Sequence, residues 1–248
     1  MVFVAAYMSV SKQSKAKDVI LMSLSKTAVI FGVGPGIGVA AAREFAALGY
    51  RLALVARTSL KLERLVAQLE AAGATAKGFV ADGGDGASID AVVPEIRKWA
   101  QGDPSVVVVN AFTSQPAGPT HKVSPAGFAR SLLVNAAAAQ HLAYHFAPAL
   151  VAAGEGSLLF TGNSMPLHPM GNGFGTLSAG KSAMRSLALT LAEDLAGSGV
   201  RVGLLTVDGP TARGSALDPD VIAAEFVKMH EGSVTDTEII YSGPSATA

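Results

Sequence analysis

Cysteine is absent from the 248 residues. That excludes disulfides, thiol nucleophiles and thiolate metal sites. Histidine is scarce: His121, His141, His145, His168 and His230 are the full set. No HExxH pattern occurs, and His141/His145 is the single i,i+4 pair. In an apolar helix that spacing reads as packing, so no metal is expected. An excess of either charge is missing too. Lys+Arg and Asp+Glu each number 19, for a net charge of zero. Nothing in that balance suggests nucleic acid or an anionic membrane surface as a partner. Nor does any apolar run approach the roughly 20 residues that span a bilayer.

What the chain does have is apolar bulk. Half its residues are hydrophobic and only 15% are charged. The length suits one domain of α/β size, with chain enough to bury a core. Residues 1–25 precede the first expected strand and read as a flexible N-terminal extension. Within it, Lys12, Lys15 and Lys17 follow the mildly apolar Val2–Met8. A signal peptide has the opposite order, so the expectation is a cytoplasmic protein with a single domain over 26–248.

The stretch from Thr27 to Gly38, TAVIFGVGPGIG, organises the rest. Ala28-Val29-Ile30-Phe31 is a strand-like apolar run, and Gly32, Gly34, Gly36 and Gly38 follow it. From Val39 to Leu48 apolar residues recur at helical spacing, and Gly49 stops the pattern. Strand, glycine turn and helix in that order are what a dinucleotide site needs. Glycine lets a ligand approach the backbone, and the helix start offers free N–H groups to a pyrophosphate. The plainer reading is a βα turn that merely uses glycine.

Six further strands are expected at 50–56, 75–81, 105–110, 156–161, 200–207 and 238–241. Helices are expected over about 59–72, 88–100, 126–153, 177–196 and 221–230, with Pro94 a local conflict in the second of these. Val106–Val109 is apolar at consecutive positions, as in a parallel strand covered on both faces. The alternation predicts an α/β fold: a Rossmann-type doubly wound, mostly parallel sheet of about seven strands with helices on both faces. Substrate loops are expected near 162–176 and 208–235.

On these residues the chain resembles the short-chain dehydrogenase/reductase family. Gly32-x-x-x-Gly36-Ile37-Gly38 is similar to the family's cofactor loop, with Phe31 where Thr is usual. Asp82 matches the acid that hydrogen-bonds adenine, and Asn110-Ala111 matches part of an Asn-Asn-Ala-Gly stretch. Asn135, Ser164 and Lys181 match the catalytic Asn, Ser and Lys. Asp208-Gly209 stands where Pro-Gly is usual, and Thr211 is placed by the resemblance near the nicotinamide. The family also implies a homodimer or homotetramer, built through the helices at 126–153 and 177–196.

Cofactor choice follows from charge at the end of the second strand. A carboxylate there would accept the ribose hydroxyls of NAD(H) and repel a 2′-phosphate. The chain has Ala56-Arg57 and no acid nearby, so NADP(H) is preferred over NAD(H). The large departure lies four residues before Lys181. Where the family carries its proton-donating tyrosine, this chain carries Leu177. His168, Lys181 itself, Ser178, Tyr144, Tyr241 or a water are the substitutes to consider, although His168 reads more readily as a loop residue without a catalytic role. The resemblance implies an NADP(H)-dependent oxidoreductase of a small, largely apolar carbonyl, alcohol or enone, with altered proton delivery. The alternatives are a catalytically silent NADP(H)-binding sensor or partner subunit, and a non-redox lyase or isomerase on the same fold.

Overall fold

The computed structural model describes residues 24–243. Most of the expected N-terminal extension therefore lies outside the described residues. Seven strands form one parallel sheet: β1 (Ser25–Phe31), β2 (Arg51–Ala56), β3 (Ala76–Val80), β4 (Pro104–Val109), β5 (Ser157–Asn163), β6 (Arg201–Val207) and β7 (Glu238–Tyr241). Their order across the sheet is β3-β2-β1-β4-β5-β6-β7. The expected doubly wound fold is thus observed, and every pairing is parallel.

Because helices cover both faces, the middle of the sheet is apolar at consecutive positions, as in Ala28–Phe31, Leu52–Val55 and Val106–Val109, rather than at alternate ones. Ala28, Ile30, Val106 and Val108 face one core layer, while Val29, Phe31, Val107 and Val109 face the other. Helices α1 (Ile37–Ala47), α2 (Ser59–Ala71) and α7 (Pro219–Glu231) contribute residues to the first layer. Helices α3 (Gly86–Ala100), α5 (Ala138–Ala153) and α6 (Gly175–Asp194) contribute to the second. Pro94 sits inside α3 without ending it, since its neighbours Val92, Val93 and Ile96 are all buried and anchor both sides. An N-cap from Asp85, whose side chain accepts from Ala87 N, starts that helix two residues before the expected Ser88.

Two local differences bear on the site. The helix expected over 126–153 is broken into α4 (Pro125–Leu132), a π turn at Leu133–Ala137, and α5. The span 208–235 is loop to Asp218 and again after Glu231, and the helix expected at 221–230 lies between as α7. This helix buries Ile222, Ala223 and Phe226 in the core.

Candidate functional site

The strand order reverses at β1, which pairs with β2 on one side and β4 on the other. Ligands of open α/β sheets bind in the crevice at such a point, beyond the strand C-termini. Here the loop after β1 meets the loop after β4. Asn110 Nδ2 donates to Gly32 O at 2.8 Å, and Asn110 N donates to Phe31 O at 2.8 Å.

The four glycines do different work. A Cβ on Gly32 would collide with the Ala111 backbone, and Gly32 has φ +91°, so only glycine fits there. At Gly38 a Cβ would meet Gly32 O at 2.9 Å and Asn110 Nδ2 at 3.0 Å. At Gly34 and Gly36, by contrast, nothing lies within 4 Å of the Cβ position. Two glycines therefore close the turn and two open a cradle at the start of α1, where Ile37 is the first helical residue. That cradle fits a pyrophosphate.

Two clefts meet at this loop and share Gly32, Gly34 and Asn110. The first, of about 280 Å³, runs toward Arg57, Lys61, Asp82 and Ala111. Asp82 is fixed within it: Oδ1 accepts from Gly84 N at 2.9 Å and Oδ2 from Arg130 Nη2 at 2.5 Å. Burial, the largest single influence, raises the Asp82 pKa. The Gly84 N–H and the Arg130 guanidinium together outweigh it and hold the carboxyl below its usual value. Arg57 is exposed and, among the described residues, makes no hydrogen bond or salt bridge. Lys61 lines the same cleft one helical turn further on. Neither Lys61 nor Arg130 was singled out from the sequence. Lys61 was legible as a second cation four residues beyond Arg57; Arg130, 48 residues from Asp82, carried no signal.

The second cleft, of about 560 Å³, is lined by Ile37, Thr161, Asn163, Leu177, Lys181 and Thr211 among others. Leu177 and Lys181 stand one turn apart on α6, so both face it. Leu177 is 5% exposed and Lys181 4%. Lys181 Nζ donates to Thr161 O at 2.7 Å. Desolvation by burial lowers the Lys181 pKa to about 8. The Thr161 hydroxyl, on a residue of this wall, is buried and has no hydrogen-bond partner among the described residues.

The remaining expected site residues are arranged as follows. Asn135 lies in the π turn and is 1% exposed. Its Oδ1 accepts from Thr113 N at 2.9 Å, and its Nδ2 donates to Thr113 O at 2.8 Å and Ser131 Oγ at 3.0 Å. Its amide is thus spent on holding the loop after β4. Ser164 is half-buried beside the lining residue Asn163, and its N–H donates to Val207 O at 3.1 Å. His168 is exposed and lines neither cleft; its N–H donates to Ser164 O at 2.9 Å. The structure brings together Lys181, Thr211 and the glycine loop, sets Ser164 at the edge, and leaves His168 outside. Tyr241 is buried in the core layer beneath α7, and Tyr144 is 70% exposed on α5.

Comparison with known proteins places the chain in a family. The family model described as short chain dehydrogenase matches residues 26–211. The 1-deoxy-11-beta-hydroxypentalenate dehydrogenase of Streptomyces avermitilis is 33% identical over 192 residues, covering 76% of this chain and 71% of that one. The galactitol 2-dehydrogenase (L-tagatose-forming) of Cereibacter sphaeroides is 30% identical over 206 residues, covering 82% and 74%. Among solved structures, a metagenomic short-chain oxidoreductase in complex with NADP is similar, with a TM-score of 0.77 and 28% identity. That match covers 88% of this chain and 97% of the neighbour. An NADH-dependent reductase, A1-R′, shares the fold at a TM-score of 0.78 and 18% identity. The glycine cradle at the switch point, the buried lysine beside it and these relationships lead to one conclusion: the chain belongs to the short-chain dehydrogenase family, whose members are oxidoreductases.

Proposed function

We propose that this protein is an NADP(H)-dependent oxidoreductase of a small, largely apolar carbonyl or enone, in which Lys181 takes over proton delivery. The observation that carries the reading is the wall of the larger cleft. Leu177 presents hydrocarbon where a tyrosine would present a phenol, and the buried Lys181 is the ionisable group behind it. A bound nicotinamide would supply or accept the hydride. The protein's own part is to bind, orient and protonate. Gly34 and Gly36 leave the pyrophosphate its room, and Asp82, braced by Arg130, presents a carboxylate to the adenine.

At the ribose end, Arg57 and Lys61 offer two cations to a 2′-phosphate with no acid in the sequence between them. Charge-assisted contacts of this kind favour NADP(H) over NAD(H). At the reacting end, Lys181 with a pKa about 8 is an ammonium at neutral pH, yet it surrenders a proton far more readily than a solvated lysine. The apolar neighbourhood of Leu177 both lowers that pKa and suits an apolar substrate.

Leu177 also supports a second reading, in which the chain binds NADP(H) as a silent sensor or partner subunit, or serves a non-redox reaction. One experiment separates them. NADPH binding is measured by titration, and NADPH oxidation is followed over a panel of aldehydes, ketones and enones. Turnover of any member supports the oxidoreductase; tight binding with no turnover supports the silent protein; turnover without cofactor consumption supports a lyase or isomerase.

A further inference from the structure

The pair His141/His145 reads from its spacing as packing, but the structure adds a third donor. Asp90, on α3, reaches across to both rings on α5. Its Oδ1 lies 2.7 Å from His141 Nε2 and 2.8 Å from His145 Nε2. The two imidazoles are stacked, with centroids 5.2 Å apart and planes inclined by 22°. Their three donor atoms lie within 4.8 Å of one another. None of the three residues lines either cofactor cleft.

We propose that Asp90, His141 and His145 form a binding site for a divalent transition metal of borderline softness, zinc being the representative, which clasps α3 to α5. Two imidazole nitrogens and one carboxylate oxygen are a donor set that suits such an ion. An i,i+4 spacing places both rings on one face of α5, so the helix pre-orients two ligands without further cost. The local sequence makes room for them. Gly86, the first residue of α3, passes close to His141, and a Cβ there would stand 2.9 Å from His141 Cε1.

The separations of Asp90 from the two rings are those of hydrogen bonds. Bonds of about 2.0–2.1 Å in a tetrahedral arrangement put donor atoms roughly 3.3 Å apart. Bringing the Asp90 oxygen to that distance from each ring nitrogen needs a shift of about half an ångström. Asp90 can make it, because its side chain is 58% exposed and, among the described residues, bound to nothing but the two rings. The rings keep 27% and 18% exposure, which leaves the remaining coordination positions to water. In such a site the metal replaces two hydrogen bonds between the helices with three coordination bonds.

The test uses untagged protein stripped with a chelator, zinc as the probe, and isothermal titration. The expected result is one saturable site per chain and a higher thermal midpoint with zinc. Asp90→Ala should weaken zinc by at least about tenfold, as loss of a ligand requires, and His141→Ala with His145→Ala should abolish binding. Unfolding in chelator and NADPH affinity show whether each variant is folded. Should a variant fail that check, Asp90→Asn, which keeps a hydrogen-bonding side chain, takes its place. Absence of saturable binding to wild type would overturn the proposal. So would Asp90→Ala or Asp90→Asn binding zinc as tightly as wild type, because two helical histidines alone would then account for it.

Discussion

Lys181 Nζ and the main-chain oxygen of Thr161 lie 2.7 Å apart, which ties the second turn of α6 to the end of β5. That bond uses one of three ammonium protons and leaves the group facing the cleft where Leu177 stands. Burial lowers its pKa to about 8 from 10.5.

Both activity and stability should therefore respond to pH, in opposite directions. As acid for carbonyl reduction, Lys181 must be protonated, so the reduction rate should fall as pH rises through about 8. The stability effect has the other sign. Between about 8 and 10.5 the unfolded chain holds the proton that the folded chain has lost. Stability then rises with pH across that window, the penalty being full below it and gone above it. Lys181→Met should flatten this stability rise and abolish reduction. Denaturant unfolding at several pH values, beside pH–rate profiles, checks the pair; a wild-type rate constant from pH 7 to 9 would remove Lys181 as the acid.

Leu177→Tyr should raise ketone reduction. General acid catalysis is typically worth 10²–10⁴-fold, and the phenol would enter on the face that already presents Lys181. Leu177 is 5% exposed, so the larger ring must find space toward the cleft. NADPH affinity of the variant is measured first. A folded, cofactor-binding variant that is no faster than wild type would mean that the acid is already supplied.

Arg57→Ala should weaken NADPH by roughly 10- to 150-fold and leave NADH nearly unchanged, the loss of a charged hydrogen bond being about 1.5–3 kcal/mol. Lys61→Ala should act in the same direction more weakly, because Lys61 lines the cleft one turn further from the strand end. Equal losses for both cofactors would take these cations away from the 2′-phosphate. Fluorescence titration with each nucleotide decides it.

A homodimer or homotetramer is expected through α5 and α6. Tyr144 and Val151, 70% and 41% exposed, border an apolar groove shared with Leu191 of α6 and with Leu195 just beyond its end. Two helix faces of that character suit an isologous contact. Light scattering at micromolar concentration should report a dimer or larger, and Tyr144→Glu with Val151→Glu should shift it toward monomer. A monomeric wild type would refute the expectation.

The parts legible in the sequence were those that depend on neighbours along the chain. Val106–Val109 announces a strand covered twice, and Gly32–Gly38 a turn open to a ligand, because burial and φ are local demands. The π turn was not legible: Leu133-Val134-Asn135-Ala136-Ala137 has the composition of ordinary helix. What holds it open is the bonding of Asn135 to Thr113, 22 residues away. Arg130 on Asp82 and Asp90 on the two histidines escaped for the same reason, being pairs made by the packing of separate elements. Thr161 was overlooked because its neighbours in β5 are apolar, and only the folded wall shows its hydroxyl to be alone.

The π turn has one more effect, on angular phase. A π turn amounts to one surplus residue in an otherwise α-helical path, and each helical residue advances the direction of its side chain by about 100°. Everything downstream is therefore rotated by that angle from where an uninterrupted helix would aim it. Winding Leu133–Ala137 as regular α-helix at unchanged length would turn His141 and His145 off α3 together with the apolar stripe of Leu142 and Phe146, whereas deleting one residue there would restore the regular pitch and leave all four facing as they do. The irregularity thus works as a take-up: it absorbs one residue near the cofactor crevice while the helix beyond keeps its facing along its whole length.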